Sequence, residues 1–389
     1  MSKKFLHTSD LHIGKKLDGV SRLEEQKAVL DEILSIATAE KVDIMLVAGD
    51  VYDTFIPSSE AENLFFEWLD GFSENNITVV CISGNHDDED RLSAARTMAY
   101  KRGVYLCGKE NDFTPNNSGN VQLVDCGKNH LVFKDKFDNE YFIATLSFFG
   151  EAPYGYVIDK EKDYGERVKD ILADIFSKKK EGQSGVLVSH LFMVGGESSE
   201  SERRIDLGGV KVVSPSAIPE SCLYTALGHL HKRQIASKSK NVIYSGSPIQ
   251  YAYDEVGNQK SVTVFSIENG KVENLKTVDL VSGKKLAKIT VVGTDELDVK
   301  LCKFSDKFVD LTIISDRPLT MEETANIKGK YPNVTKIKLE FSSEFERGGI
   351  SGRRDLSDED LFVEFYTKKF GAKPDDDLLK AYLEIMAEE

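Results

Sequence analysis

The tightest constraint on this chain is the way its apolar runs end. Short β-branched runs at Ile44 to Ala48, Thr78 to Ile82, Gly185 to Val188, Leu223 to Leu227 and Asn241 to Tyr244 read as buried strands. Most strand ends carry side chains that bind metals. The first strand ends in Asp10-Leu11-His12, the second in Gly49-Asp50-Val51-Tyr52-Asp53 and the third in Gly84-Asn85-His86-Asp87. Later strands end in Ser189-His190 and in Gly228-His229-Leu230-His231, so five of the seven histidines sit at strand ends.

Ligands on turns at the carboxyl ends of neighbouring strands converge on one crevice held by a rigid sheet. In an extended segment residues i and i+2 point the same way, so each Asp-x-His or His-x-His pair can reach one cavity. Glycine beside Asp50, Asn85 and His229 permits the close backbone approach that such a cavity needs. Each fragment alone is weak, because an isolated strand histidine is more often a hydrogen-bonded core residue than a ligand. Their conjunction in this order points to a metal site.

Helix-like stretches separate the early strands: Leu23 to Glu40, with Val29, Leu30, Ile33, Leu34 and Ala37 on one face, and Ser58 to Phe72. Strand and helix in alternation predict an α/β fold. At 389 residues the chain is long for one core, so two folded units and an appendage are expected. The ligand-bearing texture stops near Ser282-Gly283-Lys284-Lys285, which bounds a first domain over 1–281. Residues 285–342 then read as a small α+β cap: strand 287–292, helix 295–301, strand 308–314, helix 321–331 and strand 335–341. A Gly- and Arg-rich linker over 343–352 leads to two helices in 353–389, the first N-capped by Ser357 and stopped by Gly371 and Pro374. That tail holds eleven acidic and six basic residues, net minus five, which suits a protein partner better than DNA.

The formal net charge of −15 excludes a protein that coats nucleic acid by bulk electrostatics, so any nucleic-acid contact must be local. Bound divalent cations would cancel part of the charge at the site. Five scattered cysteines without CxxC spacing suggest neither a zinc knuckle nor a disulfide framework. No run approaches the roughly 18 apolar residues of a membrane span, and the start lacks a signal-peptide apolar core. A cytoplasmic protein without membrane contact is expected.

The ordered set D-x-H, GD-x-x-D, GNHD, H and GH-x-H resembles the calcineurin-like metallophosphoesterase superfamily. Within it, His190 to Glu197 with Ser201-Glu202-Arg203 and Gly208-Gly209, and Tyr244-Ser245-Gly246-Ser247-Pro248-Ile249-Gln250-Tyr251 with Asp254-Glu255 and Lys260-Ser261-Val262, are similar to the SbcD family of nuclease subunits. Asp88-Glu89-Asp90, after GNHD, is more acidic than that pattern. The resemblance implies a β-sandwich flanked by helices, with a capping domain and a helical tail. It implies one metal on Asp10, His12, Asp50 and His231 and another on Asp50, Asn85, His190 and His229, with manganese in both places. It places His86 over the phosphate as general acid or orienting donor, with Asp87 as its partner, and leaves Asp53 as an outer group. It further implies DNA cleavage from the 3′ side of double-stranded ends and within single strands and hairpins. Its partners would be an SbcC-type coiled-coil ATPase bound by the tail helices and a second copy of the chain, paired through helices near 58–72 and 92–102.

From the ligands alone, two cations about 3.5 to 4 Å apart would activate water for in-line attack on phosphorus. Imidazole, carboxylate and amide together suit Mn, Fe or Zn better than Mg. Basic residues beside the motifs are candidates for phosphate contacts: Lys16 and its neighbour Lys15, Arg91 and Arg96, Arg203 and Arg204, and Lys232 and Arg233. The motifs specify chemistry without substrate, so phosphatase, nucleotide phosphodiesterase and non-catalytic scaffold stay open as alternatives.

Overall fold

The computed structural model describes residues 2–341, apart from 110, 117–118, 151–155, 158, 160 and 203–210, together with scattered positions from 357 to 382. Contacts divide the chain into two compact units: Met1–Ala287 with Asp306–Phe308, and Lys288–Ser305 with Val309–Glu389. In the first unit the strands are, in chain order, β1 (Lys3–Thr8), β2 (Ile44–Ala48), β3 (Thr78–Ile82), β4 (Val104–Leu106), β5 (Gln122–Gly127), β6 (His130–Lys134), β7 (Glu140–Leu146), β8 (Ser184–His190), β9 (Phe192–Met193), β10 (Val212–Val213), β11 (Cys222–Gly228), β12 (Gln234–Ser237), β13 (Val242–Tyr244), β14 (Ser261–Glu268) and β15 (Lys271–Asp279).

They form a six-stranded sheet in the order β15-β14-β1-β2-β3-β4 and a seven-stranded sheet in the order β12-β13-β11-β8-β7-β6-β5. Strands β1 to β4 are parallel neighbours covered on both faces, so they read as unbroken apolar runs rather than alternating ones. Successive side chains nevertheless part to opposite faces. Phe5, Ile44, Leu46, Ala48, Val80 and Ile82 meet Phe133, Ile143, Val186, Val188, Tyr224 and Ala226 in the core between the sheets. Leu6, Met45, Val47, Val79 and Cys81 pack outward with apolar residues of the helices Leu23–Ala39 and Ser59–Glu74. The second sheet turns Phe142, Ala144 and Leu187 into a cluster with the helix Tyr164–Ser177. The layers are therefore helix, sheet, sheet, helix.

Local chemistry starts these helices. Ser58 caps Ser59–Glu74 by accepting from the Ala61 amide at 3.3 Å, and Asp163 and Glu166 form a reciprocal capping box for Tyr164–Ser177. Trp68 Nε1 donates to the Leu30 carbonyl at 2.7 Å, locking the two outer helices of the first sheet together. Because β1, β2 and β3 run parallel, as do β8 and β11, their carboxyl ends come out on the same edge of the sandwich.

In the second unit β16 (Leu286–Val292), β17 (Phe308–Ser315) and β18 (Val334–Phe341) form a three-stranded sheet in that order, with β17 and β18 parallel and helices at Leu297–Leu301 and Met321–Lys330. The expected linker over 343–352 lies outside the described residues. In the tail, Ser357 Oγ accepts from the Asp360 amide at 3.2 Å, and the rings of Phe362 and Tyr382 stack with centroids 4.1 Å apart. Among the described residues no helix is long and apolar enough to cross a membrane.

Candidate metal centre

The ligand-bearing turns depart from ordinary backbone geometry. Asp10, His12, Asp50 and His229 have φ of 53°, 42°, 49° and 98°, in the left-handed region that side chains with a Cβ rarely adopt. Packing around them must hold that strain, and glycine makes the packing achievable. A Cβ on Gly84 would fall 2.1 Å from Asp50 Oδ1, and one on Gly228 would fall 1.9 Å from the Ala48 carbonyl oxygen. The glycines singled out beside Asn85 and His229 thus sit where two strand ends nearly touch.

The side chains converge. Asp10, His12 and His231 present ligand atoms within 4.8 Å of one another, as do Asp10, Asp50 and His190, and as do His12, Asp50 and His86. Nε2 of His12 faces Nε2 of His231 at 3.0 Å. Asn85 Oδ1 lies 2.9 Å from His190 Nε2 and 3.1 Å from His229 Nδ1. Asp50 Oδ2 stands 3.4 Å from His190 Nε2 and 3.5 Å from His12 Nε2, at the middle of the cluster. All seven residues expected to ligate are buried.

Their electrostatics suit a cation. Burial pushes the Asp10 carboxyl up to about 8, a measure of how badly that carboxylate lacks positive charge. Burial likewise drives His12 down to about 4, His229 to about 3 and His231 below its usual value, so all three are neutral imidazoles with lone pairs to give. At His190 burial also opposes the charged form, but the charge and hydrogen bond of Asp50 override it and raise the group to about 9. Asp50 is held well below the carboxylate range, because His190 and His12 outweigh its desolvation. A divalent cation would take over the role that the His190 proton plays here.

Donor geometry supports the same fit. Ser201 Oγ donates to Glu255 Oε1 at 2.7 Å and therefore accepts from His231 Nδ1 at 2.5 Å. Nε2 of His231 is then a bare lone pair aimed at His12, and two such nitrogens at 3.0 Å repel unless a proton or cation lies between them. Neighbouring groups aim the ligands: the Ala48 carbonyl takes His190 Nδ1 at 2.9 Å, Asp10 Oδ1 accepts from the His229 amide at 2.8 Å, and Asp50 Oδ1 accepts from the His86 amide at 2.8 Å. The donor set of the buried cluster thus fits divalent metal ions.

His86 stands beside this cluster, its ring in edge contact with His12 at 4.7 Å between centroids. The expectation that Asp87 partners His86 is corrected. The Asp87 carboxylate accepts from the backbone amides of Val51, Tyr52 and Gly84 at 3.0, 2.8 and 2.9 Å, tying the second and third ligand turns together. The His86 Nδ1 hydrogen bond goes instead to the Asp53 carbonyl at 2.7 Å, which leaves Nε2 buried without a partner among the described residues. Asp53 is an outer group, with Oδ1 3.5 Å from His12 Nδ1 and 2.8 Å from Lys15 Nζ.

The basic candidates divide. Lys16 is exposed, whereas Arg91 is paired with Glu62 at 2.8 Å, Arg96 with Asp112 at 3.3 Å and Lys232 with Glu197. Such pairs blunt a contact with phosphate. Arg203 and Arg204 lie outside the described residues. Ser201, Glu255 and Lys260, which stand behind His231, were visible in sequence only as parts of the SbcD-like segments.

Residues 3–233 match the family described as calcineurin-like phosphoesterase. The SbcD subunit of nuclease SbcCD from Bacillus subtilis is 32% identical over 395 residues, covering 98% of this chain and 97% of that protein. The chain belongs to the SbcD family of calcineurin-like phosphoesterases. The SbcD subunit of nuclease SbcCD from Staphylococcus epidermidis is 27% identical, covering 98% of both chains. A solved dimetal phosphatase from Danio rerio aligns at a TM-score of 0.42 and 10% identity, over 72% of this chain and 99% of that one. As an SbcD-family member the protein is a metal-dependent phosphodiester hydrolase, with the α/β metallophosphoesterase fold that its motifs implied.

Proposed function

We propose that the protein is a two-metal-ion DNA nuclease: a 3′ to 5′ exonuclease on double-stranded ends and an endonuclease on single strands and hairpins. The observation that carries the reading is the buried cluster in which Asp10, His12, Asp50, His190 and His231 present ligand atoms to one another. The full-length match to two proteins named as SbcD subunits of nuclease SbcCD supports a nucleic-acid substrate over the other phosphodiesters. In this reading Asp10, His12, Asp50 and His231 hold one ion, and Asp50, Asn85, His190 and His229 hold the second. Imidazole nitrogen beside carboxylate and amide oxygen favours manganese over magnesium. Two such cations would supply an activated water and offset charge on the phosphate oxygens.

The chain's own residues do the rest. Asp53 keeps the His86 Nδ1 proton in place, so the unpartnered Nε2 is the atom that meets the scissile phosphate. Burial lowers His86 to about 4, and a phosphodiester anion beside Nε2 favours the imidazolium, which can then orient the phosphate or protonate the leaving oxygen. Asp87 acts indirectly, by fixing the turns that carry Asp50 and Asn85. Lys16, exposed beside the first motif, is a described basic residue able to take a DNA phosphate.

The tail helices would bind an SbcC-type coiled-coil ATPase, and the complex would serve DNA repair and recombination. Homodimer pairing is supported by an apolar groove of about 420 Å³ lined by Phe66, Leu69, Ala95, Met98 and Ala99, with Met98 78% exposed. The test is manganese-dependent cleavage of labelled single-stranded and hairpin DNA, with His86→Ala and a chelator as controls. Cleavage lost in both controls supports the reading. No DNA cleavage alongside hydrolysis of a small phosphodiester would replace it with a nucleotide phosphodiesterase. Deleting 353–389 is expected to spare single-strand cleavage and abolish co-purification with the ATPase.

A further inference from the structure

The candidate ligands are not aimed in the same way. His190 Nδ1 meets the Ala48 carbonyl at 2.9 Å, a partner built into the end of β2. His231 is aimed by side chains drawn from segments remote from it in sequence. Its Nδ1 is 2.5 Å from Ser201 Oγ, that hydroxyl donates to Glu255 Oε1 at 2.7 Å, and Glu255 Oε2 accepts from Lys260 Nζ at 2.5 Å. Both charged members are deeply buried, Glu255 at 0% exposure and Lys260 at 8%. A buried ion pair of this kind is a poor way to gain stability, so its retention calls for another role.

Lys260, Ser247 and Glu202 also hold the backbone of His231. Its carbonyl accepts from Lys260 Nζ at 2.8 Å and from the Ser247 amide at 3.1 Å. Its amide donates to Glu202 Oε1 at 2.6 Å. Glu255 Oε1 in turn accepts from the Tyr251 and Ala252 amides, both at 3.0 Å, so the carboxylate is itself immobile. Proton direction runs one way through this chain. Lys260 can only donate, Glu255 can only accept, the Ser201 hydroxyl must donate to Glu255, and His231 Nδ1 must donate to Ser201. The ring is left with its lone pair on Nε2, the atom facing His12.

We propose that Ser201, Glu255 and Lys260 are positioning residues for His231, setting how tightly the ion on Asp10, His12 and His231 is bound and leaving the ion on His190 and His229 to its own contacts. The inference rests on the paired-ion reading of the cluster. Ser201 lies within residues 194–202, after β9, so placement of its hydroxyl and filling of one metal position are linked: each favours the other by the same factor.

The test uses the full chain, stripped with a chelator and titrated with manganese chloride alone, following heat by calorimetry and free manganese by electron paramagnetic resonance. Wild type is expected to take up two ions. Ser201→Ala should weaken one of them about tenfold or more and leave the other within about twofold, and Ser201→Thr, which keeps the hydroxyl, should restore it. The double variant Glu255→Gln with Lys260→Met removes both buried charges together and should weaken the same ion. An unchanged isotherm for Ser201→Ala, or equal weakening of both ions, overturns the inference while leaving the paired-ion reading intact. If wild type takes up one ion, the pair is refuted, and the inference stands or falls on whether Ser201→Ala weakens that ion. No uptake by wild type overturns both.

Discussion

Gly228→Ala tests the geometry most directly, because the added methyl has nowhere to go. Its Cβ would lie 1.9 Å from the Ala48 carbonyl oxygen and 2.8 Å from His190 Nδ1, where ordinary contact begins near 3.4 Å. The ends of β11 and β2 must therefore part by roughly 1.5 Å, and both atoms that meet the methyl are the partners of one hydrogen bond. Gly228 is not in the left-handed region, so backbone strain adds nothing. Overpacking of this kind costs about 1–3 kcal/mol. Losing the His190 to Ala48 bond adds about 1 kcal/mol, so a total of about 2–4 kcal/mol is expected against a typical stability of about 5–15 kcal/mol. The assay is urea unfolding of chelator-treated protein followed by far-UV circular dichroism, which removes any contribution from bound metal. Gly182→Ala is the comparison: φ is +81° there, nothing lies within 4 Å, and strain alone should cost about 1 kcal/mol. A Gly228→Ala loss under about 1 kcal/mol would refute the close approach of the two strand ends.

Three further outcomes follow from the same contacts. His86→Ala should lower kcat for DNA cleavage by about 10²- to 10⁴-fold while manganese uptake is unchanged, since its Nε2 is spare and its Nδ1 serves only to fix the ring; loss of uptake instead would make it a ligand. Removing metal with a chelator should lower the thermal midpoint, and restoring manganese to 100 times the Kd of an ion should return about 2.7 kcal/mol of stability for each ion bound; a midpoint indifferent to manganese contradicts the buried site. Glu202, raised by burial from 4.5 to about 7, binds its proton more tightly when folded, so its contribution is complete below about 4.5 and is lost as pH rises from there through about 7. Glu202→Gln should flatten that part of the stability profile in chelator between about pH 4.5 and 7, and an unaltered slope would count against it.

Legibility in the sequence followed burial. Strands β2 and β3, closed on both faces by the other sheet and by helices, match the apolar runs residue for residue. The hairpin of β14 and β15 was not foreseen, because β15 is almost wholly exposed and shows no apolar run. Its partner β14 also pairs with β1, a contact between residues more than 250 positions apart. The role of Asp87 was misread for a related reason. Adjacency to His86 suggested a partnership, but three backbone amides of two different turns claim its carboxylate.

What the sequence determined by itself is the kind of chemistry. Side chains that ligate metals, placed at strand ends beside glycine, have few other uses in such number, and the spacing of each pair follows from the two-residue period of a strand. Tertiary structure alone decided which atoms meet. The facing Nε2 atoms of His12 and His231 come from residues 219 positions apart, and the relay behind His231 gathers Ser201, Glu255 and Lys260 from separate segments. Those distances depend on how two sheets seat against each other across a core of aromatic and branched side chains, a collective packing outcome that no local pattern records.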